Sequence, residues 1–329
     1  MSEQLLIENL DQAVETMMSS DPVRLVLADA RLRDLLSVVE DLRRSPRESF
    51  RTQLKEELRR EAMTTEAQRA TEQKPAEHTR AGYGSITPYL TVERAEDLLE
   101  FVKQAFGAIE VFRTTGSAGG LHAEVTIGDS RLMIGGMPGV TEIPTALHLY
   151  VPDADAVYHR AMEAGGTSLE EPVDQFYGDR EAGVKDPTGN VWWIATHKLG
   201  PAGTHVPEGL RAVTPFLHPV GAAKLIDFMK EAFAAEEISR YQSPDGMIQH
   251  AMVRIGNSMI EMGEAHGEAQ PMPPALYMYV EDLDASYERA LKAGATSLQP
   301  PTDQAYGDRT AWVKDAWDIT WYLATPTKQ

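Results

Sequence analysis

Cysteine is absent from this chain of 329 residues. Without thiols the protein has no disulfide bonds, no thiolate metal ligands and no cysteine nucleophile, and the composition suits a reducing compartment. Any chemistry must therefore come from other side chains.

Long apolar runs are also missing. No stretch approaches the ~18 consecutive apolar residues of a membrane-spanning helix. The N-terminal sequence is acidic, where a secretory signal would be basic and then apolar. We therefore expect a cytoplasmic location and no membrane partner.

Positive charge is scarce. The chain has 31 Lys and Arg residues against 50 Asp and Glu, which gives a formal net charge of −19. Nucleic-acid binding requires clustered Lys and Arg to neutralise phosphates. The composition therefore predicts no nucleic-acid partner.

An internal repeat organises most of the chain. The motif ITPYL at residues 86–90 returns as VTPFL at 213–217, and PVDQFYGDR at 172–180 returns as PTDQAYGDR at 301–309. The copies are about 128 residues apart, a spacing far longer than solenoid repeats. Two homologous domains are therefore predicted.

The predicted boundaries follow from these motifs. The first domain covers residues 83–198 and the second 210–328, and a connector rich in Gly and Pro covers 199–209. Within a copy, apolar alternation and helical spacing predict the order strand, helix, strands, and this order occurs twice. Each domain is thus α+β and contains two βαβββ modules.

The N-terminal part differs in kind. Residues 1–63 read as an all-α segment of three helices, with Asp21-Pro22 and Ser45-Pro46 as helix starts. Residues 64–82 are polar and read as a flexible linker. The leucine-rich stripe of these helices could dock a protein partner, or it could pack against the neighbouring helices.

Several ordered motifs resemble a known family. The segments ITPYLTV, HAE, QFYGDR and VKDPTGNVWWIATHK, with the paired modules, are similar to the PhnB-like branch of the glyoxalase/bleomycin-resistance/dioxygenase, or vicinal oxygen chelate, superfamily. The resemblance covers residues 83–328. It implies modules that curl into incomplete barrels around a cavity, with helices outside, and it does not fix an activity.

The resemblance also implies where a metal would bind. Metal-dependent members place His or Gln on the first strand of a module and Glu on its last. The corresponding positions here are Thr87, Met133, Ala146 and Trp193 in the first copy, and Thr214, Glu261, Ala275 and Tyr322 in the second. Only Glu261 carries a good ligand group, so we favour no metal cofactor.

An irregular divalent-metal site is the alternative. Strand residues two apart share a face, so His148 lies beside position 146 and His218 beside position 214. With Glu261 these histidines could form a His-His-Glu site. Otherwise they are isolated histidines satisfied by the backbone or by water.

Aromatic residues suggest a binding wall for a small molecule. Alternation directs Trp193 and Tyr322 to the cavity, whereas Trp192 and Trp321 point to the core. An aromatic wall in acidic surroundings suits a flat or cationic ligand, although all five tryptophans could equally fill cores. The further predicted ligand-binding residues are Tyr89, Phe216, Tyr177, Arg180, Tyr306 and Arg309.

Two open alternatives concern side-chain roles. The loop that holds Tyr177 and Arg180, like its copy with Tyr306 and Arg309, could close over the cavity or could fix itself to its own domain. His122 and Glu124 share a strand face and could act as a general acid–base pair, in the first domain only, or be structural.

Three functions remain after this reading. The chain could be a metal-free protein that binds an aromatic or drug-like ligand, a metal-dependent lyase, isomerase or dioxygenase, or a ligand-sensing regulator whose N-terminal helices hold a partner. Because the two copies can pair with each other, a monomer is expected.

Overall fold

A computed structural model describes residues 78–327, apart from 117–118, 176, 200–202 and 268. The predicted N-terminal helices, their partner surface and most of the predicted linker lie outside these residues. Residues 78–82 of that linker are described: they form a bend and turns, and Arg80 contacts Asp308.

The first copy contains two modules. Module 1 consists of β1 (Ile86–Thr91), α1 (Ala95–Phe106), β2 (Ile109–Thr115), β3 (Leu121–Ile127) and β4 (Ser130–Gly136). Module 2 consists of β5 (Ala146–Tyr150), α2 (Ala154–Glu163), β6 (Thr167–Asp174), β7 (Asp179–Lys185) and β8 (Val191–His197). The predicted βαβββ order is confirmed in both.

The second copy repeats this plan. Module 3 consists of β9 (Val213–Leu217), α3 (Ala222–Phe233), β10 (Glu236–Gln242), β11 (Ile248–Ile255) and β12 (Ser258–Met262). Module 4 consists of β13 (Ala275–Tyr279), α4 (Leu283–Lys292), β14 (Thr296–Asp303), β15 (Asp308–Lys314) and β16 (Thr320–Pro326). No helix among these described elements is long and apolar enough to cross a membrane.

The strands form two eight-stranded sheets, and each sheet combines both copies. The first sheet has the order β14-β15-β16-β13-β1-β4-β3-β2, and the second has β10-β11-β12-β9-β5-β8-β7-β6. Antiparallel pairing of β1 with β13 and of β5 with β9 joins the modules. Each sheet is thus shared between the two copies.

The apolar cores, by contrast, mostly follow the copies. One core unites modules 1 and 2, and the other unites modules 3 and 4, with α1 packed against α2 and α3 against α4. Leu98 and Leu99 of α1 are fully buried, and each contributes roughly 2 kcal/mol through loss of apolar surface. Both copies are therefore cored units whose sheets pair with each other.

Short turns also link the copies. Side chains of the β11–β12 turn form hydrogen bonds with the backbone at the start of β1. Asn257 Oδ1 accepts a hydrogen bond of 2.8 Å from the Ser85 amide, and Ser258 Oγ accepts one of 3.0 Å from the Ile86 amide. The β3–β4 turn does the same for β9: Ser130 Oγ accepts the Val213 amide at 2.9 Å. These bonds satisfy backbone donors that would otherwise be buried without partners.

Candidate functional site

The candidate site lies on the face of the second sheet that points away from the helices. Strand alternation sends Leu147 and Leu149 of β5 into the core and His148 to the opposite face. His148 lies opposite Trp193 of β8 on one side and opposite Thr214 of β9 on the other. We call the group of His148, Glu181, Glu261, Phe216 and Trp193 the second-sheet site.

A histidine lies between two carboxylates at the centre of this site. His148 Nδ1 is 2.7 Å from Glu261 Oε2, and His148 Nε2 is 3.5 Å from Glu181 Oε2. The three residues are at most 8% exposed. The sequence leaves two alternatives for His148, an isolated side chain or a site shared with Glu261. In the structure His148 and Glu261 are in contact.

In this cluster, the attraction between His148 and the carboxylates shifts the pKa values more than burial does. Burial lowers the pKa of His148, but the charges of Glu261 and Glu181 more than compensate and raise that pKa to about 10. Burial likewise raises the pKa of Glu261, and His148 and His250 outweigh it, so that the pKa falls to about 2. His148 and Glu261 therefore form an imidazolium–carboxylate pair at neutral pH.

Glu181 is less well satisfied. Its Oε1 accepts a hydrogen bond of 3.1 Å from the Tyr177 hydroxyl, whereas its Oε2 is buried and accepts none from the residues that the structure describes. Two carboxylates share the His148 imidazolium, and His250 contacts Glu261 alone, at 3.3 Å. Among the described residues Glu181 thus has no cation of its own, and it carries the excess negative charge of the cluster. A buried carboxylate without a full set of partners is costly.

Aromatic rings border the cluster. Phe216 stacks on His148, with ring centroids 4.6 Å apart and planes 23° apart. Trp193 covers Gly183, where an added Cβ would come within 2.7 Å of the indole. The indole Nε1 of Trp193 is buried and donates to no described residue. Phe216 and Trp193 are half-buried, so part of each ring is accessible.

The residues present do not fit the divalent-metal site of the metal-dependent superfamily members. Of the four corresponding positions on this sheet, Ala146, Trp193, Thr214 and Glu261, only the last has a strong ligand group, and His148 already holds it. Glu261 and Glu181 lie at opposite nitrogens of the His148 ring. In this arrangement an ion bound to one of those nitrogens cannot be coordinated by both carboxylates. No trio of His, Asp or Glu among the described residues is arranged to hold a metal.

His218, the third member of the irregular metal alternative, is directed elsewhere. Its ring packs edge-on against Phe216 at a centroid distance of 4.7 Å, and burial lowers its pKa to about 4. It lines a separate cavity of about 230 Å³ with Pro274 and Trp317. In the described part of the chain, no hydrogen bond joins His218 to His148 or Glu261.

The equivalent face of the first sheet carries different chemistry. His122 and Glu124 meet there, with Nε2 and Oε1 3.5 Å apart, and the Tyr89 hydroxyl is 3.1 Å from His122 Nδ1. Burial raises the pKa of Glu124, but hydrogen bonds from His122 and Tyr83 outweigh it and lower that pKa. Tyr322 packs edge-on against Tyr89 at 5.3 Å, so phenols dominate this face.

The loop arginines are held by their own modules. Arg180 forms two hydrogen bonds with Asp155, at 2.8 and 2.7 Å, and Arg309 forms two with Asp284, both at 2.8 Å. Both aspartates lie in the first turn of a helix. Tyr177 and Tyr306 are 41% and 60% exposed. The geometry of the arginines thus favours the loop-fixing role.

Glu181 is the site residue that sequence reasoning missed. A usable signal was present, since Asp179 and Glu181 sit two apart on β7 and thus share a face, and the second copy has Thr310 where the first has Glu181. A charged residue at a position that is neutral in the other copy marks a local difference in chemistry.

Comparison with known proteins supports the fold and the family. The model of the Glyoxalase/Bleomycin resistance protein/Dioxygenase superfamily matches residues 78–194 and 221–323. Uncharacterised proteins of Mycobacterium bovis and Mycobacterium tuberculosis strain H37Rv are 33% identical over 129 residues. That alignment covers 36% of this chain and 85% and 76%, respectively, of those proteins.

Two solved structures share the architecture. Glyoxalase I from Zea mays has a TM-score of 0.57 at 15% identity, over 73% of this chain and 92% of that one. A putative dioxygenase from Bacillus subtilis has a TM-score of 0.51 at 13% identity, over 74% and 84%. At such identities the likeness to these two structures concerns the fold alone. The match to the family model shows that this chain belongs to the Glyoxalase/Bleomycin resistance protein/Dioxygenase superfamily.

Proposed function

We propose that this chain binds a small aromatic molecule that carries a basic nitrogen, at the second-sheet site and without a divalent metal. The observation that carries the proposal is the buried Glu181 Oε2, which accepts no hydrogen bond from the described residues although it lies in a cluster with excess negative charge. The motifs ITPYLTV and QFYGDR further lead us to place the chain in the PhnB-like branch of its family.

A ligand cation would complete the charge balance of the site. His148 and Glu261 already neutralise each other at 2.7 Å, so the second carboxylate, Glu181, is the one that a ligand can satisfy. An ammonium group that donates to Glu181 Oε2 would form a charge-assisted hydrogen bond, which is roughly twice as strong as a neutral one. A neutral or anionic ligand would leave the excess negative charge in place.

The rings that border the cluster favour an aromatic body on that ligand. Phe216 and Trp193 each leave part of a ring accessible. Stacking between aromatic rings contributes ~0.5–1.5 kcal/mol beyond the buried area. The indole Nε1 of Trp193 offers one further donor, for which a ligand oxygen is a suitable partner.

Calorimetric titration tests the proposal. Aryl amines should bind the full-length chain at least ten times more tightly than neutral compounds of the same shape. Glu181→Gln should abolish that preference, because the amide cannot balance an ammonium ion. The matched control is Thr310→Val at the equivalent position of the first sheet, which should leave binding unchanged. Equal affinity for amines and neutral analogues would refute the proposed ligand class.

The metal-free part of the proposal has a separate test. Dialysis against a chelator should leave aryl-amine affinity unchanged, and elemental analysis of the purified chain should find no stoichiometric Zn, Ni, Mn or Fe. A metal at one equivalent, or a loss of binding that added metal restores, would favour the metal-dependent lyase, isomerase or dioxygenase instead.

A further inference from the structure

A tight turn precedes the first strand of each copy. The Tyr83 amide donates to the Arg80 carbonyl at 3.0 Å, and Gly82 has φ of +86°. The Leu210 amide donates to the Pro207 carbonyl at 3.1 Å in the same way before β9. The backbone turn is therefore common to both copies, whereas Arg80 and Tyr83 are peculiar to the first.

Arg80 places its guanidinium against a buried carboxylate of the first sheet. Its Nη2 is 2.9 Å from Oδ1 of Asp308, a residue that is 1% exposed. The Tyr277 hydroxyl donates to Asp308 Oδ2 at 3.0 Å. The guanidinium carbon also lies 5.8 Å from the centre of the Tyr306 ring. Arg80 thus meets an acid and an aromatic ring together.

Tyr83 reaches the other carboxylate of the same face. Its hydroxyl donates to Glu124 Oε2, and its ring packs edge-on against Tyr279 at 5.7 Å. The Arg131 guanidinium lies 5.4 Å from the centre of the Tyr83 ring. The two side chains of one turn therefore occupy two separate acidic positions.

Comparison with the first copy explains why Asp308, in the second copy, requires a cation from outside its module. Its counterpart Asp179 pairs with His197, whose Nδ1 is 2.6 Å from Asp179 Oδ1. The residue equivalent to His197 is Pro326, which has no charge. Because an uncompensated buried carboxylate is costly, Asp308 depends on Arg80.

We infer that this face of the first sheet is a second binding site, specific for a peptide turn with a guanidinium and a phenol three residues apart, and that residues 80–83 occupy it as a tethered ligand. The site is separate from the second-sheet site and does not depend on the function proposed there. A tethered occupant has an effective concentration on the order of millimolar. A free peptide therefore competes poorly with residues 80–83 for this site unless the Arg80 and Tyr83 side chains are removed.

The test uses the full chain with R80A and Y83A together. A fluorescein-labelled peptide with the sequence of residues 79–85 should bind this double variant at least ten times more tightly than the unmodified chain, and adding Asp308→Asn should remove the binding. The control peptide carries Pro-Glu-Gly-Leu, the sequence of residues 207–210, in place of Arg-Ala-Gly-Tyr, and should not bind. No saturable binding to the double variant, or equal binding to both chains, would overturn the inference.

A second measurement keeps the inference testable if the double variant does not fold. In the unmodified chain, a large millimolar excess of the same peptide should accelerate amide hydrogen exchange in residues 79–84, because the free peptide displaces the turn. Unchanged exchange would overturn the inference. Glu181→Gln should leave this response intact, which separates its failure from a failure of the second-sheet proposal.

Discussion

Three charged residues distinguish the second-sheet site from the equivalent face of the first sheet. His148, Glu181 and Glu261 stand where the first sheet has Tyr277, Thr310 and Met133. A single buried ion without a partner costs several kcal/mol. The three charges are therefore best explained as a group, in which His148 balances one carboxylate and, in our proposal, a bound ligand balances the other.

Glu261→Gln should lower the free energy of unfolding by about 3 kcal/mol near neutral pH, because it removes the nearer of the two carboxylates, at 2.7 Å, from the buried His148 imidazolium. The depressed pKa of Glu261, about 2, adds stability above pH 4.5 that is lost as the pH falls towards 2. The raised pKa of His148, about 10, adds stability below pH 6.5 that is lost as the pH rises through 10. Denaturant titrations across pH should thus find the largest difference between pH 4.5 and 6.5.

Glu181→Gln is the matched control for that measurement. Because Glu181 Oε2 accepts no hydrogen bond from the described residues, its neutralisation removes a poorly paired buried charge and should not lower the free energy of unfolding by more than ~1 kcal/mol. Equal destabilisation by both substitutions would mean that the two carboxylates share the imidazolium evenly, and that no carboxylate is left for a ligand.

Sequence reasoning reached part of this site. Strand alternation is local, so it predicts that His148 and Trp193 share a sheet face, and the two residues do lie opposite each other on β5 and β8. The contact between His148 and Glu261 crosses from module 2 to module 3, 113 residues along the chain. Only the pairing of β5 with β9 creates it, and no local pattern specifies which strands pair.

At the scale of elements, buried strands and helices follow from the sequence better than edge strands do. The helical spacing of the apolar residues Leu98, Leu99 and Val102 predicts a helix, and the structure has one at Ala95–Phe106. The bounds of the edge strand β2 do not follow from the sequence, because its residues are exposed or half-exposed and show no clean alternation. An edge strand owes its position to backbone pairing with β3, which is invisible to a hydrophobic pattern.

The turn between β15 and β16 gives a second case. The sequence DAWDI of the second copy lacks the Pro and Gly of DPTGN in the first copy, residues that favour a tight turn. The turn nevertheless forms, with Asp318 at φ of +64° where the first copy has Gly189 at +97°. Asp tolerates the left-handed region better than most residues do, and the Asp315 carboxylate accepts the amides of Trp317 and Ile319.

Helix α3 allows a prediction at this scale. It ends at Ala234 with φ of 54°, whereas the equivalent helix α1 ends at Gly107 with φ of 67°. Because a Cβ in the left-handed region is strained, Ala234→Gly should raise the free energy of unfolding by ~1 kcal/mol. Thermal and denaturant unfolding of the full chain measure this change.

Gly107→Ala is the reciprocal control for α3. A Cβ at Gly107 meets no atom within 4 Å, so that substitution isolates the backbone effect and should destabilise by a similar amount. Destabilisation by Ala234→Gly would contradict the explanation and would indicate that loss of the methyl group outweighs relief of strain.

At the scale of the whole molecule, the sequence repeat predicts the four modules but does not predict which strands of different modules pair. The strands β5 and β13 are homologous, so either could complete the edge of β1 with similar hydrogen bonds and similar side chains. The structure pairs β1 with β13 and thereby places Arg80 beside Asp308. Both inferred ligand sites exist only because the modules pair between copies.

Engineered cysteines can report this pairing directly, because the chain has none of its own. Thr87 lies opposite Tyr277 across β1 and β13, and directly opposed Cβ atoms in antiparallel strands are ~5 Å apart, within reach of a disulfide after slight adjustment. Thr87→Cys with Tyr277→Cys should therefore oxidise to an intramolecular disulfide, detected as a faster band on a non-reducing gel and as a crosslinked peptide by mass spectrometry. The control pairs Thr87→Cys with His148→Cys, at the homologous position of β5, and should stay reduced. A crosslink in the control alone would mean that each copy closes its own sheet, and it would remove the structural basis of both sites.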